Sequence, residues 1–156
     1  MKKMLPIIGI SLILDQIIKV IIINYLSLYQ SINVIKSFFN ITYVRNNGAA
    51  WSILSGNRLL LISISIVALI IIYNCFIRNQ KLTKLENFSY GILIGGTVGN
   101  LTDRIFRGYV VDYLDFNLFG YNFPIFNFAD ICIVIGISLI CIVLIGGELR
   151  VRNKNN

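Results

Sequence analysis

The sequence predicts an all-α membrane protein with four transmembrane helices and a small extracytoplasmic β-sheet, or cradle, between helices 1 and 2. Three observations lead to this fold class: an apolar composition, four apolar runs of membrane-crossing length, and one loop rich in aromatic and β-branched residues. Of the 156 residues, 56% are hydrophobic and 13% are charged. A soluble domain has about a quarter of its residues charged, so the composition favours a membrane protein.

The four apolar runs are residues 7–26, 59–77, 88–105 and 128–145. Each has about the 17–25 residues that a helix needs to cross a bilayer, and lipid offers the backbone no hydrogen-bond partner outside a helix. The first run follows Lys2 and Lys3 but carries Asp15 and Lys19 and has no small-residue cleavage site, so we interpret it as a retained span. We expect residues 1–156 to form a single integral membrane domain.

The distribution of basic residues predicts the topology. One group falls in the N-terminus, the second loop and the tail: Lys2, Lys3, Arg78, Lys81, Lys84, Arg150, Arg152 and Lys154. A smaller group falls in the first and third loops: Lys36, Arg45, Arg58, Arg104 and Arg107. The positive-inside rule then places both termini in the cytoplasm. The net charge of +7 forms no single patch with stacking aromatics, so we expect membrane lipid, and not nucleic acid, as its partner.

The first outer loop, residues 27–58, predicts the sheet. It contains the stretch FFNITYV followed by Asn47-Gly48, a pair that favours a two-residue hairpin turn because both positions need positive φ. Trp51 suits the lipid–water interface. The loop is either a surface element or a platform that contacts substrate.

Polar residues recur inside the spans. Asp15 and Lys19 are four residues apart on one face of the first helix, which indicates a structural ion pair or direct chemistry. Gly91, Gly95 and Gly99 would let another helix approach the third span closely. Beyond them a polar stripe emerges on one helix face, and Gly108 is expected to end the helix; the stripe contains Asn100, Asp103, Arg104 and Arg107.

Two carboxylates flank the last outer loop. Asp112 lies just past the third span, and Asp130 lies at the third position of the fourth helix if Asn127 is its N-cap. Alone, Asp130 could simply be an acidic residue favoured by the helix dipole. Both residues are nevertheless expected near the same outer depth of the membrane, on consecutive and therefore neighbouring helices. Asp115 is the nearest alternative to Asp112 as a member of the carboxylate pair.

Such a pair of carboxylates can hydrolyse a peptide bond without a histidine, a metal or a covalent intermediate. Two carboxylates that share a site hold one proton between them, so the ionised acid can activate water while the protonated acid donates. The chain contains no histidine, which removes Ser-His and Cys-His nucleophile pairs and the common zinc sites. We therefore expect neither a metal nor a cofactor.

Five motifs carry a family resemblance: DQIIK, RNNGAAW, GNLTDR, VVDYLD and FNFAD. Across nearly the whole chain they resemble the bacterial lipoprotein signal peptidases, the type II signal peptidases. The resemblance implies an aspartyl endopeptidase of the bacterial cytoplasmic membrane with its active site near the outer face. We expect the protein to be a monomer. It also implies cleavage of lipid-modified prolipoproteins before the diacylglyceryl-cysteine. The implied catalytic pair is Asp112 and Asp130.

The resemblance also implies a set of supporting residues. Those expected to line the substrate pocket are Asn46, Asn100, Arg104 and Asn127, with Asp15 and Lys19 as polar support from the first span. Independently, the rigid guanidinium fork of Arg104 suits a carbonyl or an anion, and the asparagine amides suit the scissile peptide or the dyad.

Three other interpretations stay open. Intramembrane carboxylates can mark a proton or cation transporter, although these cluster near one face. A serine–lysine hydrolase also needs no histidine, but no serine motif lies near Lys19. A structural or assembly protein would leave the cluster of asparagines and aspartates without a role.

Overall fold

The computed structural model describes residues 3–49 and 53–154, so the prediction for Trp51 lies outside the described residues. In this part of the chain four helices follow the predicted spans. They are α1 (Leu5–Tyr25), α2 (Arg58–Ile71), which continues as a π-helix (Ile72–Ile77), α3 (Lys84–Phe106) and α4 (Phe128–Lys154). Within the described ranges three helical segments are long and apolar enough to cross a membrane: Leu5–Tyr25, Arg58–Ile77 and Phe128–Gly146.

Helix α3 is the inner helix and contacts each of the other three. It begins with a capping box, in which Glu86 N donates to Thr83 Oγ1 and Thr83 N donates to Glu86 Oε2. It ends at Phe106, and Gly108 terminates it as predicted: the φ of Gly108 is +87° and its N–H donates to the carbonyl of Asp103 at 3.1 Å. The polar stripe of α3 therefore faces the protein interior, where groups on other helices can hydrogen-bond to its side chains.

The predicted close packing at the glycines of α3 is confirmed, and its partner is α1. A Cβ at Gly91 would meet Ile7, and a Cβ at Gly95 would meet the Cβ of Ser11, each at 2.7 Å. Gly99 lies against Asp15 in the same way. Because no side chain intervenes, α1 brings its charged residues directly against α3.

The sheet differs from the prediction in its composition. It has four antiparallel strands in the order β1 (Ser31–Ile35), β2 (Phe39–Asn46), β3 (Val110–Leu118) and β4 (Tyr121–Asn122). Only the first two come from the loop between helices 1 and 2, so the predicted position of the whole sheet there is wrong. Asp112, expected in a loop, lies on β3. The long-range pairing of β2 with β3, with Arg45 opposite Val111, decides this arrangement.

The predicted hairpin turn at Asn47-Gly48 is also wrong. Neither residue is among the described residues with positive φ, and β2 ends at Asn46. The turn between β1 and β2 lies instead at residues 35–38, where Phe38 N donates to the carbonyl of Ile35 and Ser37 has a φ of +61°. Positive φ at the third position alone is typical of a type II turn.

The sheet is attached to α1 by a small apolar core. Ile22 and Leu26 at the end of α1 pack with Tyr43 of β2 and with Val111 and Tyr113 of β3. This core fixes β3, and therefore Asp112, relative to the helices.

Candidate active site

Asp112 is held by two asparagines from different elements. Its side chain is buried, with 3% of the residue exposed. Asn46 at the end of β2 donates to Oδ2 at 2.8 Å, and Asn127 donates to Oδ1 at 2.6 Å. Both carboxylate oxygens therefore accept a hydrogen bond, which fixes the plane of the acid.

Asp130 and Asn127 cap α4 reciprocally. Asp130 N donates to Asn127 Oδ1 at 3.0 Å, and Asn127 N donates to Asp130 Oδ2 at 3.1 Å. Asn127 is thus the N-cap and Asp130 the third helical position, as the sequence predicts. Since the Asn127 amide also donates to Asp112, one residue contacts both carboxylates.

A third asparagine joins the acids to a buried charge cluster. Asn100 Nδ2 donates to Asp130 Oδ1 at 2.7 Å, and its Oδ1 accepts from Lys19 Nζ at 2.9 Å. The ammonium of Lys19 also pairs with Asp15 at 2.9 Å and with Asp103 at 3.1 Å, all three residues being buried. Its three N–H groups are therefore matched by three acceptors, which fits the structural ion pair. In the described part of the chain no serine is hydrogen-bonded to Lys19, which disfavours a serine–lysine hydrolase.

Arg104 lies between the segment that joins β2 to α2 and the two acids. Its guanidinium donates to the carbonyls of Gly48 at 2.9 Å and Asn100 at 3.4 Å. Among the described residues, its Nε is a buried nitrogen without a hydrogen-bond partner. An unpaired buried donor is costly, and an acceptor that reached this atom would remove that cost.

The acids open into a cavity of about 520 Å³. Asn46, Asn100 and Arg104 line it beside Asp112 and Asp130. Its other walls are apolar, formed by the connection at residues 123–126 and by α4 residues including Ile131, Val134 and Ile135. The cavity joins an apolar surface to a small set of oriented polar groups, which is typical of a binding site.

The pKa of Asp112 is higher than that of an ordinary carboxyl group. Burial, followed by the negative charge of Asp130, raises the pKa of Asp112 to about 7. The hydrogen bonds from Asn46 and Asn127 oppose that rise because they stabilise the ionised form. At neutral pH, therefore, Asp112 can hold a proton beside a second acid.

Comparison with known proteins identifies the family. The family model described as signal peptidase (SPase) II matches residues 7–146. The chain belongs to the signal peptidase II family. It is 44% identical over 142 residues to lipoprotein signal peptidases of Staphylococcus aureus, including that of strain Newman, and the match covers 91% of this chain and 87% of theirs.

Solved structures agree with this membership. A bacterial membrane enzyme solved at 2.3 Å by the in meso method superposes with a TM-score of 0.87 at 40% identity, covering 95% of this chain and 90% of that one. Another, solved at 1.9 Å, gives a TM-score of 0.82 at 41% identity, with 92% and 93% covered. With three helices of membrane-crossing length among the described residues, the chain is a bacterial membrane protease.

In this signal peptidase II chain, sequence reasoning placed none of Gln16, Asp103 and Arg107 in the site. Gln16 donates to Asp15 and Asp103, each at 3.1 Å, and Arg107 donates to Gln16 Oε1 at 2.8 Å and to Asp103. Asp103 also accepts from Val111 N at 3.1 Å, next to Asp112. The polar stripe on α3 is visible in the sequence. Nothing in the sequence shows that Gln16 of α1 is its partner.

All eight predicted site residues of this family member lie together, whereas Asp115 lies elsewhere. Its carboxylate accepts from Thr42 Oγ1 at 2.6 Å, and it lines a different cavity. The side chain of Asp115 is therefore hydrogen-bonded to β2 and to neither member of the proposed dyad.

Proposed function

We propose that this protein is an aspartyl endopeptidase that removes the signal peptide from diacylglyceryl-modified prolipoproteins, cutting on the N-terminal side of the lipidated cysteine. The observation that carries the proposal is the pair of hydrogen bonds from Asn127 to both Asp112 and Asp130, beside a cavity, in a signal peptidase II chain. Two acids oriented by one residue are suited to general acid–base work.

The two acids have different roles in this mechanism. Asp130 lies in the first turn of α4, where the helix dipole favours an anion, and it acts as the base. Asp112, with its pKa raised to about 7, carries the proton. Asp130 takes a proton from a water whose oxygen attacks the scissile carbonyl, and Asp112 donates to the carbonyl oxygen. When the tetrahedral intermediate collapses, Asp130 gives its proton to the leaving nitrogen, and a hydroxyl proton of the intermediate returns to Asp112.

Arg104 and the asparagines orient the substrate. Arg104 lines a cavity that also contains both acids, so its guanidinium can bind a substrate carbonyl. Asn46 fixes Asp112 from the outer loop. Support for sideways entry comes from Val134 and Ile135 of α4, which line the cavity and are 63% and 45% exposed. They would face lipid, and a signal helix could reach the acids through it.

The sheet supports four membrane crossings in a single peptidase domain. β2 follows α1, and β3 follows α3, yet the two strands are hydrogen-bonded neighbours. If α1 and α2 both cross, α3 must cross as well to bring β3 to the side of β2. With the basic residues counted above, both termini are then cytoplasmic and the dyad lies near the outer face.

The test uses purified protein in lipid and a lipid-modified proprotein. Asp112→Asn and Asp130→Asn are each expected to lower kcat by roughly 10²–10⁴-fold, the range of acid–base catalysis. Glu86→Gln is the matched control, because it makes the same change in a capping box that accepts Gln, far along α3 from the site. Cleavage at the wild-type rate by either Asp variant would refute the proposal.

A further inference from the structure

A second cavity, of about 590 Å³, lies on the sheet beyond the catalytic cavity. Asn33, Asn40, Asn117 and Asn122 line it together with Asp115. Residues 123–125 line both cavities, so the two cavities adjoin along this segment. A chain that leaves the two acids along residues 123–125 would therefore reach the second cavity.

Strand register places these amides on one face of the sheet. Asn33 is opposite Asn40, and Asn117 is opposite Asn122. Asparagine is depleted in strands, so its repetition at paired positions is not explained by strand propensity. The neighbouring strand positions have the opposite character, with Phe39 and Phe116 stacked at 4.5 Å between ring centroids.

Cross-strand hydrogen bonds orient these amides but do not occupy all of their donor groups. Asn33 donates to Asn40 Oδ1 and Asn117 donates to Asn122 Oδ1, both at 2.8 Å. The Nδ2 groups of Asn40 and Asn122 have no hydrogen-bond partner among the described residues. Each cross-strand pair thus leaves an oriented donor, and Asp115 adds a carboxylate acceptor. Donors and acceptors side by side match the carbonyls and N–H groups of an extended peptide.

We propose that this cavity is a subsite for the polar chain segment that follows the lipidated cysteine of the substrate. The proposal rests on the proposed function and extends it to the mature side of the cleavage point. The apolar α4 wall of the catalytic cavity suits the signal helix and acyl chains, whereas the amide-lined cavity suits the hydrophilic residues downstream. The subsite therefore selects substrates by the residues that follow the lipidated cysteine, which stay on the mature lipoprotein after cleavage.

The experiment compares two substrates for the purified wild-type protein. One is a lipid-modified peptide with a tail of six Ser, Asn and Gly residues after the cysteine, which reaches about 20 Å when extended. The other ends at an amidated cysteine. Since a hydrogen bond contributes about 1 kcal/mol, we expect the tail to raise kcat/KM roughly fivefold, through KM with kcat unchanged. An apolar tail of the same length should give no gain.

Variants then locate the effect. Asn40→Ala with Asn122→Ala should abolish the preference, so that the double variant cleaves its tailed and tailless peptides equally well. Asn24→Ala, an exposed asparagine on α1 that lines neither cavity, should keep it. The subsite is refuted if wild type shows no preference, if an apolar tail serves equally, or if the double variant retains the gain. If neither peptide is cleaved by wild type, the proposed function fails and the subsite with it.

Discussion

Asn127 contributes its whole side chain and its backbone N–H to the site. Its side-chain oxygen and backbone N–H cap α4 together with Asp130, and its amide nitrogen donates to Asp112 at 2.6 Å and to Asn100 at 3.3 Å. The cap fixes the start of α4 because it satisfies backbone groups that the helix leaves unpaired. The same side chain therefore sets both the position of the helix and the orientation of the acid opposite.

The raised pKa of Asp112 predicts how cleavage depends on pH. The mechanism needs Asp112 protonated, and its pKa is about 7, so activity should fall as pH rises through about 7. Asn46 stabilises the ionised form, and its removal raises the pKa further. In Asn46→Ala the alkaline limb of the kcat–pH profile should therefore move to higher pH by about one unit.

The profiles of wild type, Asn46→Ala and the surface control Asn24→Ala are compared in the same lipid. The control should keep the wild-type limb. A limb that stays in place or moves to lower pH in Asn46→Ala would mean that Asp112 is not the proton donor.

At this scale, local relations could be predicted from the sequence, whereas distant contacts could not. The Asn127 cap and the pairing of Asp15 with Lys19 follow from spacings of three and four residues, and both are confirmed. The inclusion of Asn46 depended on family resemblance, because its contact with Asp112 joins residues 66 positions apart. No periodicity encodes a contact between separate elements.

Among the elements, α3 depends on glycine for its position between α1 and α4. A Cβ at Gly96 would meet the Ala129 carbonyl at 2.4 Å and Cys132 Cβ at 3.0 Å. Both neighbours belong to the first turns of α4, directly beside Asp130. A methyl group there must push apart the helices that carry Asn100 and Asp130.

Gly96→Ala is therefore expected to lower the unfolding temperature in detergent by several degrees, since overpacking costs about 1–3 kcal/mol. It should also weaken cleavage. Gly9→Ala on α1 is the matched control, because nothing lies within 4 Å of a Cβ there and alanine favours a helix. Equal melting temperatures for the two variants would contradict the close contact between α3 and α4.

The strands were harder to predict than the helices. Each helix follows from a long apolar run, but β3 is recognisable only through its pairing with β2, which lies more than sixty residues earlier in the chain. Local turn preference favoured Asn47-Gly48, whereas the observed turn at Ser37 depends on which residues of β1 and β2 face each other. Strand register is a non-local property.

For the whole molecule, the sheet links the α1–α2 connection to the α3–α4 connection and so constrains how the chain crosses the membrane. Helix α3 is less apolar than the other three helices because it carries Asp103 and Arg104, yet these side chains contact α1 and the α1–α2 connection. Its polar residues thus meet protein and not lipid, which reconciles its composition with a crossing.

This argument predicts opposite sides for the two ends of α3. In a background with Cys75→Ser, Cys132→Ala and Cys141→Ala, single cysteines are introduced by Gln80→Cys and Phe119→Cys, both at exposed positions. A membrane-impermeant maleimide should label Phe119→Cys in intact cells and Gln80→Cys only after permeabilisation. Ser31→Cys on β1 should behave like Phe119→Cys, since Phe119 lies in the turn between β3 and β4 of the same sheet. Equal labelling at positions 80 and 119 in intact cells would place both ends of α3 on one side and exclude the four-span topology.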